Sequence, residues 1–177
     1  MQYRRTKEKG GTYFFTVNLA DRKSSLLLDY IEDFRDIMKK VKQQRPIDID
    51  AMVVLPDHVH TMWTLPKGDA DYPKRWMLMK SEFSRRIPKG EYRCKSRINK
   101  GERCIWQRRS WENLIRDERD YEQHMNYIHY NPVKHGYVER AVEWNYSSIH
   151  RYIKEGIIDR NWGNADVIKG DTYGERS

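Results

Sequence analysis

Two apolar segments on either side of a turn signal constrain the fold of this chain most. Residues 47–55 (IDIDAMVVL) alternate between apolar and polar and then become continuously apolar, and residues 58–65 (HVHTMWTL) alternate again. Pro56 and Asp57 lie between the two segments and are typical of a turn. Two such segments joined by a short turn predict a hairpin of two adjacent strands.

Further elements are predicted on both sides of this hairpin. Residues 12–19 (TYFFTVNL) carry aromatic and β-branched side chains at alternating positions, which predicts a strand. Apolar residues recur at three- and four-residue steps over 26–41, directly after a Ser-Ser pair that can cap a helix. A second helix is predicted over 72–86, with Pro73 in its first turn.

The rest of the chain has weaker patterns. Residues 88–103 contain Gly, Lys and Arg with little apolar periodicity and are interpreted as a loop or insertion, and residues 104–115 as a short strand or hairpin. A helix is predicted over 117–130, stopped by Asn131-Pro132 because a residue before proline is disfavoured in the α region. A last short helix is predicted over 147–154.

The predicted order is β-α-β-β-α-β with extra helices appended. This order favours an α+β fold in which an antiparallel sheet carries helices on one face. We expect a single domain over residues 1–155 that includes the basic loop of residues 88–103, followed by a polar tail over residues 156–177.

Composition limits the compartment. Of the 177 residues 38% are hydrophobic, which is sufficient for a packed core. No stretch approaches the roughly 18 apolar residues of a membrane span, and the first eleven residues lack the apolar region of a signal peptide. Cys94 and Cys104 are interpreted as free thiols. We therefore expect a cytoplasmic protein without a membrane partner.

The positive charge of the chain is concentrated in its middle. The formal net charge is +8, yet residues 72–109 alone contain thirteen Lys or Arg residues against three Glu. A basic segment of this kind attracts a polyanion, most commonly a nucleic acid. The alternative interpretation is a solvated basic loop with no partner.

Two sets of side chains could carry chemistry. His58 and His60 are two apart in a predicted strand, so both imidazoles project from one face and make half of a metal site. Tyr127 and Asn131 are four apart in or just after a predicted helix, so a phenol and a carboxamide share a face, whereas Tyr130 points elsewhere. Chance pairing of two histidines and ordinary packing of Tyr127 are the alternatives.

Several sequence runs carry a family resemblance. They are GGTYFFTVNL (10–19), VVLPDHVHTMWTLP (53–66), IWQRRSWEN (105–113), YIHYNPVKHGYV (127–138) and WNYSSIHRY (144–152). Together they resemble the REP-associated tyrosine transposases, bacterial relatives of the single-strand insertion-sequence transposases in the HUH (His-hydrophobic-His) endonuclease superfamily. The resemblance implies a ferredoxin-like sheet with the catalytic Tyr on a helix.

The resemblance also implies roles for individual residues. His58 and His60 are implied as ligands of a divalent ion, Mg²⁺ or Mn²⁺, with Asn131 where relatives place a third ligand. Tyr127 is implied as the nucleophile that forms a 5′-phosphotyrosine link and releases a 3′-hydroxyl. The implied reaction is site-specific cleavage and strand transfer of single-stranded DNA at REP-type hairpins. It needs no nucleotide cofactor.

The DNA partner and its contacts complete the expectations. Aromatic side chains stack on unpaired bases while basic side chains hold phosphates. The candidates for phosphate contacts are Arg4, Arg5, Arg85, Arg86, Arg108 and Arg109, and the candidate for stacking is Trp106. By resemblance we expect a monomer rather than a dimer, located with the bacterial nucleoid. A DNA-hairpin binding protein without catalysis and a metal-dependent phosphohydrolase that uses water are the alternative functions.

Overall fold

The computed structural model describes residues 8–163, which fold around a four-stranded antiparallel sheet. Its strands are β1 (Thr12–Asn18), β2 (Asp48–Val54), β3 (His58–Thr64) and β4 (Trp111–Leu114). They lie in the order β2-β3-β1-β4. The predicted hairpin is the β2–β3 pair, and the strand predicted over residues 12–19 is β1, so both predictions are confirmed.

Six α-helices connect or flank these strands in the described residues. They are α1 (Leu26–Asp29), α2 (Ile31–Gln44), α3 (Tyr72–Arg86), α4 (Lys95–Asn99), α5 (Glu118–Lys134) and α6 (Ile149–Lys154), and a 3-10 turn covers Ala141–Glu143. With α2 and α3 as connections, the predicted β-α-β-β-α-β order is confirmed. None of the helices within residues 8–163 has the length and apolar character that a membrane crossing requires.

One face of the sheet packs against α2 and α3. Tyr13, Phe15 and Val17 of β1 point to this face and join apolar residues of both helices in the larger core. The rings of Trp63 and Trp76 stack there with centroids 4.4 Å apart. This face is the apolar half of the alternation that the sequence of β1 predicts.

The other face of the sheet is covered by α5. Phe14, Val53 and Met62 point to this face and form a second core with Met125 and Ile128 of α5. The expectation of helices on one face therefore holds for α2 and α3, whereas α5 lies on the opposite face. Strand β3 is buried on both sides for this reason.

Two helix boundaries differ from the prediction. The helix predicted from residue 26 to just before Arg45-Pro46 is divided at Tyr30, whose backbone (φ −117°, ψ 36°) is not helical. Helix α5 does not stop at Asn131-Pro132 but continues to Lys134. Pro132 removes one backbone donor from the helix, but Asn131 and Pro132 are both buried, and this packing outweighs the local cost.

The regions with weak sequence patterns contain short elements. The loop predicted over 88–103 includes α4, and the strand predicted within 104–115 is limited to β4. The last predicted helix begins two residues late, at Ile149. The N-terminal residues 1–7, with Arg4 and Arg5, lie outside the described residues.

A buried arginine joins α3 to the start of β2. The Arg75 guanidinium is 1% exposed and donates to the carbonyl oxygens of Arg45 (3.2 Å), Pro46 (2.9 Å) and Asp71 (3.0 Å). It also forms an ion pair with Asp69 at 2.6 Å. Because the five donors of arginine form a fixed fork, one side chain can donate to carbonyl oxygens of several chain segments at once.

We expect Arg75→Met to lower the free energy of unfolding by about 3 kcal/mol, because it leaves buried acceptors without a donor. Urea denaturation followed by far-ultraviolet circular dichroism measures the loss. Arg85→Met is the matched control on the same helix; the Arg85 side chain is 70% exposed, and its loss should cost less than about 0.5 kcal/mol. Equal costs for the two substitutions would contradict the role of Arg75.

Candidate active site

The two histidines of β3 lie side by side on the face covered by α5. His58 is opposite Asn18 and His60 is opposite Thr16 in the antiparallel pairing with β1. The centroids of the two imidazole rings are 4.8 Å apart, and both rings are buried, with 1% and 0% exposure. The alternation of β3 thus brings both imidazoles to one face, as the sequence predicts.

Each histidine is oriented by a polar neighbour. His58 Nδ1 lies 2.7 Å from Asp57 Oδ1, and His60 Nδ1 lies 2.9 Å from Thr16 Oγ1. Because an ionised carboxylate only accepts, His58 Nδ1 carries the proton and Nε2 keeps its lone pair. In the described residues His58 Nε2 is buried and has no hydrogen-bond partner. A ring held in this way has the orientation and tautomer in which Nε2 can coordinate a metal ion.

Burial and nearby charges set the protonation of His58 and Asp57. Burial lowers the pKa of His58 more than Asp57 raises it, which keeps the imidazole neutral near pH 7. Burial acts to raise the pKa of Asp57, but the hydrogen bond from His58 and the positive charge of Arg22 help to outweigh it, so this pKa is lowered. A neutral imidazole beside a carboxylate is the form that binds a metal.

Helix α5 places Tyr127 beside His60. The two ring centroids are 5.2 Å apart, and Tyr127 is 4% exposed. Lys134 Nζ donates to the Tyr127 hydroxyl at 3.2 Å and lies 4.7 Å from the centre of the ring. Asn131 follows Tyr127 by one helical turn and is fully buried. Tyr130 instead borders Gly163.

The end of α5 adds a residue that the sequence analysis does not select. His135 follows the last helical residue, and its ring centroid is 5.3 Å from that of His58. Because the helix is predicted to end at residue 130, Lys134 and His135 are not expected near the site. The signal available in the sequence is Gly136, since glycine after a helical pattern marks its C-terminus.

The residues of this site fit a divalent ion. The described residues contain no group of three or more His, Cys, Asp or Glu side chains that could hold a metal. Two imidazoles and a carboxamide oxygen, however, form a mixed nitrogen and oxygen set suited to a transition metal such as Mn²⁺. The buried Nε2 of His58, without a hydrogen-bond partner, is the atom that such an ion would satisfy.

The predicted stacking residue Trp106 is part of the core. Its ring is 5% exposed and packs edge-on against Phe83 at 5.3 Å. Its Nε1 donates to the carbonyl oxygen of Lys80 at 3.2 Å. Because this ring has almost no accessible surface for a nucleic acid base, the expectation that it stacks on DNA is corrected.

The predicted phosphate contacts differ in their surroundings. Arg86 is 27% exposed and bridges Asp33 and Asp36 of α2, so its first role is to join α2 to α3. Arg85 is 70% exposed and pairs with Glu82, while Arg108 is 43% exposed and pairs with Glu102. Arg109 is exposed.

A groove of about 580 Å³ lies between α3 and the segment that precedes β4. Its basic lining residues are Lys80, Arg85, Arg97, Arg103 and Arg108. Arg103 holds the groove wall in place, because its guanidinium contacts Glu91 and the carbonyl oxygens of Ile87 and Pro88. This contact lowers the pKa of Glu91 to about 2. Glu102 and Glu112 also line the groove, so its basic lining residues outnumber the acidic ones by five to two.

Comparison with known proteins identifies the family. Residues 10–131 match the family model described as "Transposase IS200 like". The REP-associated tyrosine transposase of Escherichia coli K12 is 44% identical over 175 residues, which are 99% of this chain and 97% of that protein. A Haemophilus influenzae relative assigned to the same class is 49% identical over 173 residues, covering 96% and 98%.

A solved structure agrees with these relatives. It is that of a REP-associated tyrosine transposase bound to a REP hairpin, with a TM-score of 0.85 and 41% identity, and the match covers 100% of this chain and 98% of that one. The α+β fold class and the family resemblance expected from the sequence are therefore confirmed. The chain belongs to the IS200-like transposase family and, within it, to the REP-associated tyrosine transposases.

Proposed function

We propose that this protein is a metal-dependent endonuclease and strand transferase that acts on single-stranded DNA at REP-type hairpins through a 5′-phosphotyrosine intermediate. The observation that carries this proposal is the position of Tyr127, whose ring lies 5.2 Å from that of His60 within a buried histidine pair. A nucleophile next to potential metal ligands is an arrangement that supports phosphoryl transfer without ATP.

His58, His60 and Asn131 would hold the divalent ion. When bound, it would supply Lewis acidity to the scissile phosphate, and Mg²⁺ or Mn²⁺ suits this role. Asp57 and Thr16 keep the imidazoles oriented through hydrogen bonds to Nδ1. His135, directly after α5, lies next to this set, with its ring centroid 5.3 Å from that of His58.

Tyr127 and Lys134 carry the covalent step. The Tyr127 oxygen attacks phosphorus and loses its proton, and the 3′ oxygen of the preceding nucleotide leaves and gains one. Lys134 Nζ, which donates to the Tyr127 hydroxyl, favours the phenolate form during this attack. The phosphodiester bond broken is replaced by a phosphotyrosine bond, so the strand can be rejoined without a nucleotide cofactor.

The groove between α3 and the segment before β4 is proposed to hold phosphates of the hairpin. Arg85 and Arg108 line this groove, and Arg109, the residue after Arg108, is exposed. The related structure was solved with a REP hairpin. Multiple arginines along one groove favour a phosphate backbone. Arg86 is adjacent to Arg85 in α3, and its guanidinium pairs with Asp33 and Asp36 of α2.

One chain supplies all of the proposed catalytic groups. Tyr127 on α5 and His60 on β3 approach each other within the same molecule, so no exchange of α5 between copies is needed. This favours a monomer as the active form.

A hairpin-binding protein without catalysis is the second candidate function. The presence of the histidine pair with Tyr127 argues against it.

We expect Tyr127→Phe to reduce formation of an SDS-resistant protein–DNA adduct by on the order of 10³-fold or more, because the attacking oxygen is removed. Binding of a REP hairpin should stay within about twofold, since no charge is lost. The measurement uses end-labelled single-stranded DNA that carries a hairpin and its native flanks. Tyr130→Phe on the same helix is the control and should form the adduct normally. An adduct of normal yield in Tyr127→Phe would contradict the assignment.

Metal binding is tested separately from activity. Mn²⁺ titration followed by electron paramagnetic resonance should give at least about tenfold weaker binding in His60→Ala than in the unmodified protein. His150→Ala removes a histidine outside the site and should leave Mn²⁺ affinity unchanged. Chelation of divalent ions should abolish adduct formation by the unmodified protein. Unchanged Mn²⁺ affinity in His60→Ala would remove this residue from the ligand set.

The salt dependence of hairpin binding tests whether the groove holds phosphates. Arg85→Ala should weaken hairpin binding and reduce the slope of log K against log[salt] by roughly 0.9, the value for one lost phosphate contact on a duplex. Arg140→Ala is a matched control, because Arg140 is also exposed and also pairs with a glutamate three residues away. A slope that Arg85→Ala leaves unchanged would exclude this arginine from phosphate binding.

A further inference from the structure

A row of four rings leads away from the candidate active site. It consists of His135, Tyr137, Trp144 and Tyr146, and we name it the aromatic track. His135 is the member next to the site, with its ring centroid 5.3 Å from that of His58. Successive centroids along the track are 6.0, 5.3 and 5.7 Å apart. The track is therefore continuous from the histidine pair outward.

The end of α5 fixes the position of Tyr137. The Tyr137 N–H donates to the carbonyl oxygen of Pro132 (3.0 Å), and the Gly136 N–H donates to that of Val133 (2.9 Å). This pair of bonds is a Schellman motif, which requires a left-handed residue, and Gly136 has φ +72°. The helix that presents Tyr127 thus also presents Tyr137.

Backbone contacts with β2 fix the outer part of the track. Trp144 Nε1 donates to the carbonyl oxygen of Val54 at 2.9 Å, and the Val54 N–H donates to the carbonyl oxygen of Tyr146 at 2.9 Å. The rings of Tyr137 and Trp144 are inclined by only 31°. The aromatic track is therefore ordered before any partner binds, which reduces the entropic cost of binding.

The inner half of the aromatic track is exposed to solvent, and its outer half is partly accessible. Tyr137 is 44% exposed, His135 is exposed, and Trp144 and Tyr146 are partly buried. A single exposed aromatic ring is ordinary, but a connected row of them marks an interaction surface. Because each ring has a polar atom as well as an apolar face, the row suits a partner that is both flat and polar.

Cations flank the aromatic track. The Arg35 guanidinium carbon lies 5.6 Å from the centre of the Tyr146 ring at the outer end. At the inner end, Arg22 pairs with Asp57 and Lys134 contacts Tyr127. Proteins that bind single-stranded nucleic acid combine aromatic rings, which stack on the bases, with cationic side chains, which contact the phosphates.

We propose that the aromatic track binds the bases of the single-stranded DNA flank that adjoins the scissile phosphate, with Tyr137 as its principal stacking residue. The location of that phosphate at Tyr127 rests on the proposed function. A row that starts beside His58, in the site that also contains Tyr127, leads the strand away from the attacking oxygen. Because every base has a flat face, this contact tolerates different flank sequences.

The test compares hairpins with and without flanks. Tyr137→Ala should weaken binding of a flanked hairpin by about fivefold or more, the lower end for loss of one stacking contact, and leave binding of the bare hairpin unchanged. Tyr137→Trp should retain the flank contribution, whereas Tyr137→Leu, which keeps apolar volume without a ring, should lose it. Tyr92→Ala is the control, because Tyr92 is 86% exposed and lies outside the aromatic track.

A fluorescent base reports on stacking directly. 2-Aminopurine placed in turn at each of the first few flank positions on both sides of the cleavage point should be quenched at one or more positions by Tyr127→Phe protein. The quenching should disappear in the Tyr127→Phe, Tyr137→Leu double variant. Thermal unfolding of each variant checks that the fold is retained.

The outcomes separate this inference from the proposed function. Equal loss of bare and flanked hairpin binding in Tyr137→Ala, or quenching that Tyr137→Leu leaves intact, would overturn the aromatic track as a flank site. If unmodified protein forms no adduct yet the flank contribution still depends on Tyr137, the proposed catalysis fails and the flank site stands. If the adduct forms and the flank contributes nothing to binding, the flank site fails and the proposed catalysis stands.

Discussion

The packing of α5 against the sheet is the interaction on which the site depends. Apolar side chains of α5, including Met125 and Ile128, are buried against Phe14, Val53 and Met62. This contact closes the face of the sheet from which His58 and His60 project. It brings Tyr127 to 5.2 Å from His60 although 67 residues separate them in the chain. The same apolar contact that stabilises the fold therefore brings together the proposed reacting groups.

Placing two imidazoles in a closed apolar layer has an energetic cost that local polar contacts offset. Asp57 and Thr16 satisfy the Nδ1 atoms, and burial keeps His58 neutral. The resulting histidine pair has fixed ring orientations before a metal or DNA binds. In the proposed reaction, such preorganisation reduces the rearrangement of the site that binding of the scissile phosphate requires.

The sequence predicts the sheet and the histidine pair well because both depend on alternation along a strand. It predicts Tyr127 and Asn131 on one helical face, but the rule that proline ends a helix fails at Pro132, where burial outweighs the local preference. Lys134 and His135 are missed for that reason. Trp106 is misplaced because a tryptophan in a basic segment has the same sequence signature whether it packs inward or stacks on a base.

The proposed roles divide the protein into a basic groove for hairpin phosphates, a closed site for strand transfer and an aromatic track for the flank. The central claim is that Tyr127 becomes covalently attached to DNA. Mass spectrometry of the nuclease- and trypsin-treated adduct tests it most directly, since residues 120–134 form one tryptic peptide with three tyrosines at positions 121, 127 and 130. We expect fragment ions to place a 5′-linked nucleotide on Tyr127, with a free 3′-hydroxyl on the released DNA. A nucleotide on either of the other two tyrosines, or cleavage with no nucleotide on this peptide, would contradict the account.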